Sequence, residues 1–253
     1  MDKWASVIIP TLLTLLSTLG IFKYFIEPRL IAGQTRKKYA TALWIACLEL
    51  RLHLTEIKKR LVARDETTIG ALKKIPNWDY KGKVDWFTKW GYYTMVTAYK
   101  IAEVSSWLRT YQQVLLFSTY YKSRDFISSL YNETERVKLA FCKDTILWYY
   151  YFDAIGDKLI CKSNEILSPI TFSQFCDNYY CNQEFRLFYE QLHMFIWFIA
   201  DGAYLQKIDE INTSLDEMMT FLEKHKLVTG LKIERPQIKS SEISRSLPSP
   251  SHS

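Results

Sequence analysis

The chain contains little glycine and little proline. Its 253 residues include eight Gly and seven Pro, and three of the Pro lie at or beyond residue 236. Because these residues supply most tight turns and strand boundaries, their scarcity argues against an all-β fold and favours long helices. The sequence therefore predicts an all-α fold, and its aromatic content of 15% suits packing between helices.

Recognised catalytic motifs are absent from the chain, and cysteine and histidine are few. No P-loop, G-x-G-x-x-G, G-x-S-x-G or H-E-x-x-H pattern occurs. The five Cys are unevenly spaced and the four His stand singly, so we expect reduced thiols and predict no cofactor. Glu190 and His193 form half of a di-metal motif, and Cys176 and Cys181 have C-x4-C spacing. Neither set completes a metal site, so we interpret these residues as structural.

One long run lacks charged residues altogether. Trp4 to Phe22 covers 19 residues without a charge. As a helix it would span about 28 Å, close to the thickness of a bilayer's hydrocarbon core. We predict a transmembrane anchor over residues 1–26 that contacts membrane lipid through residues 4–22. A buried or interfacial helix is the first alternative, and a cleaved signal peptide is the second.

The distribution of charge predicts the orientation of the anchor. Residues 1–100 carry 17 Lys and Arg against 8 Asp and Glu, whereas residues 101–253 carry 16 against 19. Positive side chains follow the uncharged run closely, and excess Lys and Arg stays on the cytoplasmic side. We therefore expect the amino terminus outside and the rest of the chain in the cytoplasm. Anionic lipid headgroups are the expected partners of Arg36, Lys37 and Lys38, ahead of nucleic acid.

The remaining chain divides by its apolar periodicity. Residues 27–35 are predicted to bend away from the membrane, residues 36–232 to form a cytosolic bundle of long antiparallel helices, and residues 233–253 to form a disordered Ser- and Pro-rich tail. Helices are predicted at about 36–63, 85–121, 125–161, 171–199 and 202–226. The second and third should form an antiparallel hairpin because their connection is short. Thr171 and Gln174 have the spacing of a capping box at the start of the fourth.

The first bundle helix carries a regular apolar seam. Starting at Ala40, apolar residues alternate at spacings of three and four, which is a heptad pattern. An ordinary bundle helix explains the pattern most simply, and pairing between two copies of the chain is the alternative. The candidate self-association seam consists of Leu43, Cys47, Leu50, Leu54, Ile57 and Leu61.

Two carboxylates mark the best candidate for a polar site. Asp153 and Asp157 lie one helical turn apart, with Gly156 between them, where a small residue permits close approach of another helix. Arg109 and Glu103 are possible partners from the neighbouring helix. The four side chains Glu103, Arg109, Asp153 and Asp157 therefore form a candidate polar pocket, although capping or ion pairing explains the two aspartates more simply.

These patterns favour a membrane-anchored protein over an enzyme. The hypothesis is a single-pass helical protein that acts through protein–protein contacts or assembly at the cytoplasmic face, with a protein partner or further copies of itself. The first alternative is an effector that perturbs the membrane or forms a pore. The second is an enzyme with an unrecognised site near Asp153 and Asp157.

Overall fold

The computed structural model describes residues 27–73, 89–117, 124–163 and 166–228. This part of the chain is mostly helical, which confirms the all-α class. The predicted anchor (1–26) and tail (233–253) lie outside the described residues. The helices are α1 (Glu27–Val62), α2 (Glu66–Lys73), α3 (Lys89–Phe117), α4 (Arg124–Cys142), α5 (Tyr149–Leu159), α6 (Phe172–Cys181), α7 (Gln183–Phe188), α8 (Glu190–Ala200) and α9 (Lys207–Lys224).

Two short strands interrupt the helical pattern between α5 and α6. Strand β1 (Ile160–Ser163) pairs antiparallel with β2 (Ile166–Pro169), and Ile160 lies opposite Pro169. The sequence analysis predicted no strand here. Pro169 has no backbone N–H, so it cannot donate a helical hydrogen bond. At the last position of β2 it removes little of the hydrogen bonding between the strands. The hairpin packs against α3, and the Leu167 amide donates to the hydroxyl of Tyr39 on α1 at 3.2 Å.

Helix α1 begins earlier than the sequence predicted. The expected bend at residues 27–35 is wrong, because these residues form the first turns of α1. Pro28 lies in the first turn of the described helix. Gly33 continues the helix, and apart from the backbone of its own helical turns no atom of the described residues lies within 4 Å of the position where its Cβ would be. The helix therefore runs unbroken from residue 27 into the bundle.

Helices α1 and α9 pair antiparallel in a seven-residue register. Trp44 Nε1 donates to Glu223 Oε1 at 2.9 Å, and Arg51 Nε donates to Asp216 Oδ2 at 2.8 Å. The ammonium of Lys58 pairs with Asp209 one heptad further along. Each step forward on α1 is matched by an equal step backward on α9, as in an antiparallel coiled coil.

The apolar seam of α1 lies inside this core. Leu43, Cys47, Leu50 and Leu54 are fully buried, and Ile57 is 1% exposed. Leu61 packs against the core at its edge and is partly exposed. This placement agrees with an ordinary bundle helix. Self-association through the seam stays a prediction that would require these side chains to leave the core.

The third predicted helix, at residues 125–161, is broken in two. Helix α4 ends at Cys142 and α5 starts at Tyr149. Asp144 adopts a positive φ of 57°, and the Thr145 hydroxyl accepts the Leu147 amide at 3.1 Å, which stabilises the turn. Helix α4 then packs against α9 while α5 packs against α3. The predicted hairpin partner of α3 is therefore α5 and not the whole of residues 125–161.

The fourth predicted helix starts at the expected residue and then breaks. The capping box between Thr171 and Gln174 is confirmed, with hydrogen bonds in both directions. Asn182 ends α6 and caps α7, accepting the Phe185 amide at 3.1 Å. Helix α9 begins at Lys207, five residues later than predicted, because Gly202 has a φ of 90° that no helix accommodates. Across the ranges that the structure describes, no helix has the length and apolar character needed to span a bilayer.

Candidate functional site: a charged cluster between three helices

The two candidate aspartates point toward different helices. Asp157 on α5 accepts two hydrogen bonds from Arg109 of α3, with Nε 3.1 Å from Oδ1 and Nη2 3.2 Å from Oδ2. Asp153, one turn earlier, contacts Lys138 of α4, whose Nζ lies 2.8 Å from Oδ1 and 2.9 Å from Oδ2. Helix α5 is thereby tied by charge to α3 on one side and to α4 on the other.

Lys138 is the central residue of this site. Its side chain is only 5% exposed, and its ammonium also lies 3.3 Å from Glu135 Oε1. The ring of Tyr149 packs 5.0 Å from the ammonium, and the Tyr149 hydroxyl donates to the other oxygen of Glu135. A buried charge is tolerated only when it is paired and hydrogen-bonded, and Lys138 meets both conditions. We call Arg109, Glu135, Lys138, Asp153 and Asp157 the charged cluster.

Gly156 sets the distance between α3 and α5 beside the charged cluster. A Cβ at this position would lie 2.7 Å from the carbonyl carbon of Ser105, which is closer than real side chains come. The Ser105 hydroxyl donates to the Phe152 carbonyl at 2.5 Å across the same contact. The two helix backbones approach this closely because position 156 has no side chain. The structure bears out the interpretation of Gly156 as a site of close helix approach.

Glu103 does not join the charged cluster. It precedes Arg109 by six residues on α3, and six steps of 100° place the two side chains about 120° apart around the helix. Glu103 instead hydrogen-bonds with Tyr99 and Trp107, and burial raises the pKa of its carboxyl. Lys100 is the nearby cation and opposes that rise, while itself pairing with Glu49 at 2.7 Å.

The pairing within the charged cluster decides its chemistry. A carboxylate that works as a general base or nucleophile must be free to reach a substrate. Here Asp153 is engaged by Lys138, and Asp157 by both nitrogens of the Arg109 fork. This geometry can hold three helices together, and it offers no unpaired acid and base facing each other. The arrangement therefore supports a structural role for the cluster.

The metal-binding candidates do not come together. Cys176 is buried and Cys181 is exposed, which places the two thiols in different environments. Within the described ranges no three His, Cys, Asp or Glu side chains form a group suited to a metal ion. His193 is 1% exposed, and neither ring nitrogen has a hydrogen-bond partner in the described part of the chain. The imidazole packs edge-on against Tyr179, with ring centroids 5.1 Å apart.

Burial of His193 predicts a pH-dependent stability. Burial lowers the pKa of His193 to about 4 from an ordinary 6.5. Below pH 6.5 the unfolded chain takes up a proton that the folded chain does not accept until about pH 4. Stability should therefore fall with pH across this window, and His193 accounts for about 2 kcal/mol of the loss between pH 7 and pH 5.

Urea unfolding of wild type and His193→Phe at both pH values measures that contribution. The phenyl ring keeps the packing against Tyr179 and cannot be protonated. We expect His193→Phe to lose less stability on acidification than wild type does, by about 2 kcal/mol. Equal losses in the two proteins would contradict the buried neutral imidazole.

Sequence reasoning found Arg109, Asp153 and Asp157 but missed Lys138, Glu135 and Tyr149. One signal was present: Lys138 follows Val137 on a helix whose buried positions include Leu130, Thr134 and Phe141. A lysine beside that apolar face needs a buried counter-charge. Identifying Asp153 as that counter-charge required knowing that α4 and α5 fold against each other.

Comparison with protein-family models, with curated protein sequences and with solved structures finds no match for this chain.

Proposed function

We propose that the chain is a single-pass membrane-anchored helical protein that acts through protein–protein contacts or assembly at the cytoplasmic face, without catalysis. The continuity of α1 carries this proposal. The helix runs from Glu27, five residues after the uncharged stretch ends, to Val62 in the bundle core. A partner bound to the bundle would thereby be held at a fixed place on the membrane.

The internal contacts of the bundle support a scaffolding role. Helix α1 is fixed to α9 by the seven-residue register and packs along α3. Lys100 pairs with Glu49 across that second contact, and His53 hydrogen-bonds to the Thr97 hydroxyl at 2.8 Å. Because α3 and α9 both pack along α1, the predicted anchor would position these three helices together.

The pairing of the charged cluster favours this proposal over an enzyme that uses Asp153 and Asp157. For both aspartates the nearest charged group is a cation of the chain itself. A second copy of the chain or another protein is the proposed partner of the bundle. Membrane lipid contacts are proposed for residues 4–22 and, through anionic headgroups, for Arg36, Lys37 and Lys38.

Thiol labelling in intact cells tests the topology. In a chain whose native Cys are replaced by Ser, we expect a Cys introduced at Asp2, before the span, to react with a membrane-impermeant maleimide from outside. A Cys introduced at Ser249 should react only after the cells are permeabilised, because positive residues after the span hold that side in the cytoplasm. Labelling of position 249 in intact cells would reverse the orientation. Recovery of the chain without membranes after alkaline washing would contradict the anchor itself.

A further inference from the structure

The antiparallel register brings two basic segments together at one end of the bundle. Trp44 on α1 bonds to Glu223 on α9, so Lys224, the last residue of α9, lies near the level of Trp44. Lys37 lies seven residues before Trp44, about 10 Å along the helix axis. Four lysine side chains from the two segments therefore lie within about 10 Å of axial distance, and we call them the basic collar: Lys37, Lys38, Lys224 and Lys226.

Lysines outnumber acids at the basic collar. Lys37, Lys38, Lys224 and Lys226 are exposed, and within the described ranges none forms an ion pair. Of the acids at this end, Glu223 bonds to Trp44, and Asp125 precedes Phe126, whose ring stacks on Phe221. The collar therefore carries an excess of positive charge on the surface of the bundle.

At the opposite end of the bundle several lysines are paired with acids. Lys58 faces Asp209, Lys73 lies 2.5 Å from Asp201, and Lys207 lies 2.6 Å from Glu210. Lys59, Arg64 and Lys143 are exposed at this end without an ion pair in the described ranges, and Lys59 has paired neighbours on both sides. The collar differs in that its four exposed lysines lie within about 10 Å of axial distance, at the end where α1 leads back to the uncharged stretch.

We propose that the basic collar binds anionic lipid headgroups, so that the carboxyl-terminal end of α9 makes a second contact between the bundle and the membrane. This inference rests on the proposed membrane anchor and adds Lys224 and Lys226 to the lipid contact. Lipid is favoured over nucleic acid because the collar lies at the end of the bundle nearest to the predicted span.

The length of α1 adds a geometric requirement. Ten residues separate Glu27 from Lys37, so the helix rises about 15 Å between them. Electrostatic attraction is screened over about 8 Å at physiological salt. An upright α1 would hold the collar beyond the reach of the headgroups. The collar therefore binds with α1 inclined toward the membrane plane, which lowers one side of the bundle onto the lipid surface.

Lysine acetylation footprinting on the full chain tests the proposal. The protein is reconstituted into vesicles of phosphatidylcholine alone or of phosphatidylcholine with phosphatidylserine, treated with an amine-reactive reagent and analysed by mass spectrometry. We expect Lys37, Lys38, Lys224 and Lys226 to react severalfold more slowly in the phosphatidylserine vesicles. High salt should restore their reactivity, because screening weakens the contact. Lys59 is the internal control and should react equally in both vesicles.

A double variant tests whether the two segments act as one surface. In the double variant Lys224→Gln, Lys226→Gln, phosphatidylserine should no longer protect Lys37 and Lys38 from most of the acetylation. Flotation with vesicles and helix content should stay unchanged. Lys59→Gln is the matched control and should keep the protection. Protection that persists in the double variant would overturn the role assigned to α9.

The remaining outcomes separate the collar from the anchor. Flotation with both kinds of vesicle without lipid-dependent protection would overturn the collar and leave the anchor standing. Failure to float with phosphatidylcholine vesicles would overturn the anchor and, with it, this inference. Protection of the collar by duplex DNA or RNA and not by phosphatidylserine would also overturn it, in favour of nucleic acid.

Discussion

Replacing Gly156 with Ala is expected to lower the free energy of unfolding by about 2 kcal/mol or more. The new Cβ would lie 2.7 Å from the Ser105 carbonyl carbon and 2.8 Å from its oxygen, so two helix backbones must move apart. Alanine favours the helical state over glycine by about 1 kcal/mol, and the clash must exceed that gain. Thermal unfolding followed by circular dichroism, on the full chain in detergent, measures the difference.

Gly33→Ala is the matched control for this prediction. Gly33 is also helical, and apart from the backbone of its own helical turns no atom of the described residues lies within 4 Å of its Cβ position. The same substitution there should raise stability by up to about 1 kcal/mol, because only the helix propensity changes. Destabilisation by both substitutions to the same extent would show that close packing against Ser105 is not the cause.

Lys138→Met is expected to cost about 3 kcal/mol, since it leaves the half-buried carboxylates of Glu135 and Asp153 without their shared cation. Methionine keeps most of the length of the lysine stem, so lost packing contributes little. Arg109→Met is the matched control at the exposed side of the charged cluster. The Arg109 and Asp157 side chains are 31% and 46% exposed, and a pair in water contributes less than about 1 kcal/mol.

A rescue variant isolates the charge from other effects of Lys138→Met. A triple variant that combines Lys138→Met with Glu135→Gln and Asp153→Asn has no uncompensated carboxylate at these two positions. It should recover a large part of the lost stability. Urea unfolding of the single and triple variants provides the comparison. A single variant as stable as wild type would mean that the ammonium is not needed at this position.

Periodicity was sufficient to predict the helices that run without a break. The seam of α1 is buried as the three-and-four spacing indicates, because local pattern and tertiary packing agree there. The same spacing occurs on α9, and its apolar residues are also buried: Ile208, Ile211, Leu215, Met218 and Leu222. The breaks in residues 125–161 and 171–199 were missed. Asp144 at a positive φ and Asn182 as a cap produce them, and neither residue is a Gly or Pro that marks a turn in sequence.

Only the part of the candidate site that lies on a single helix could be predicted from the sequence. Asp153, Gly156 and Asp157 share α5, so their spacing placed them together without knowledge of the fold. Glu103 was included because it is close to Arg109 in sequence, although it lies on another side of α3. Lys138 could not be assigned, because its pairing with Asp153 depends on the turn that directs α4 toward α9.

The register between α1 and α9 also has a consequence during synthesis. The ribosome completes α1 at Val62 but reaches the end of α9 only at Lys224. At elongation rates of about 5–20 residues per second, the partner of the α1 seam is missing for roughly ten to thirty seconds. Throughout that interval Leu43, Leu50 and Leu54 lack one of the two long helices that pack against α1. A nascent chain held at a membrane would then present an apolar stripe to its neighbours, and a chaperone or the bilayer surface must cover that stripe until α9 arrives.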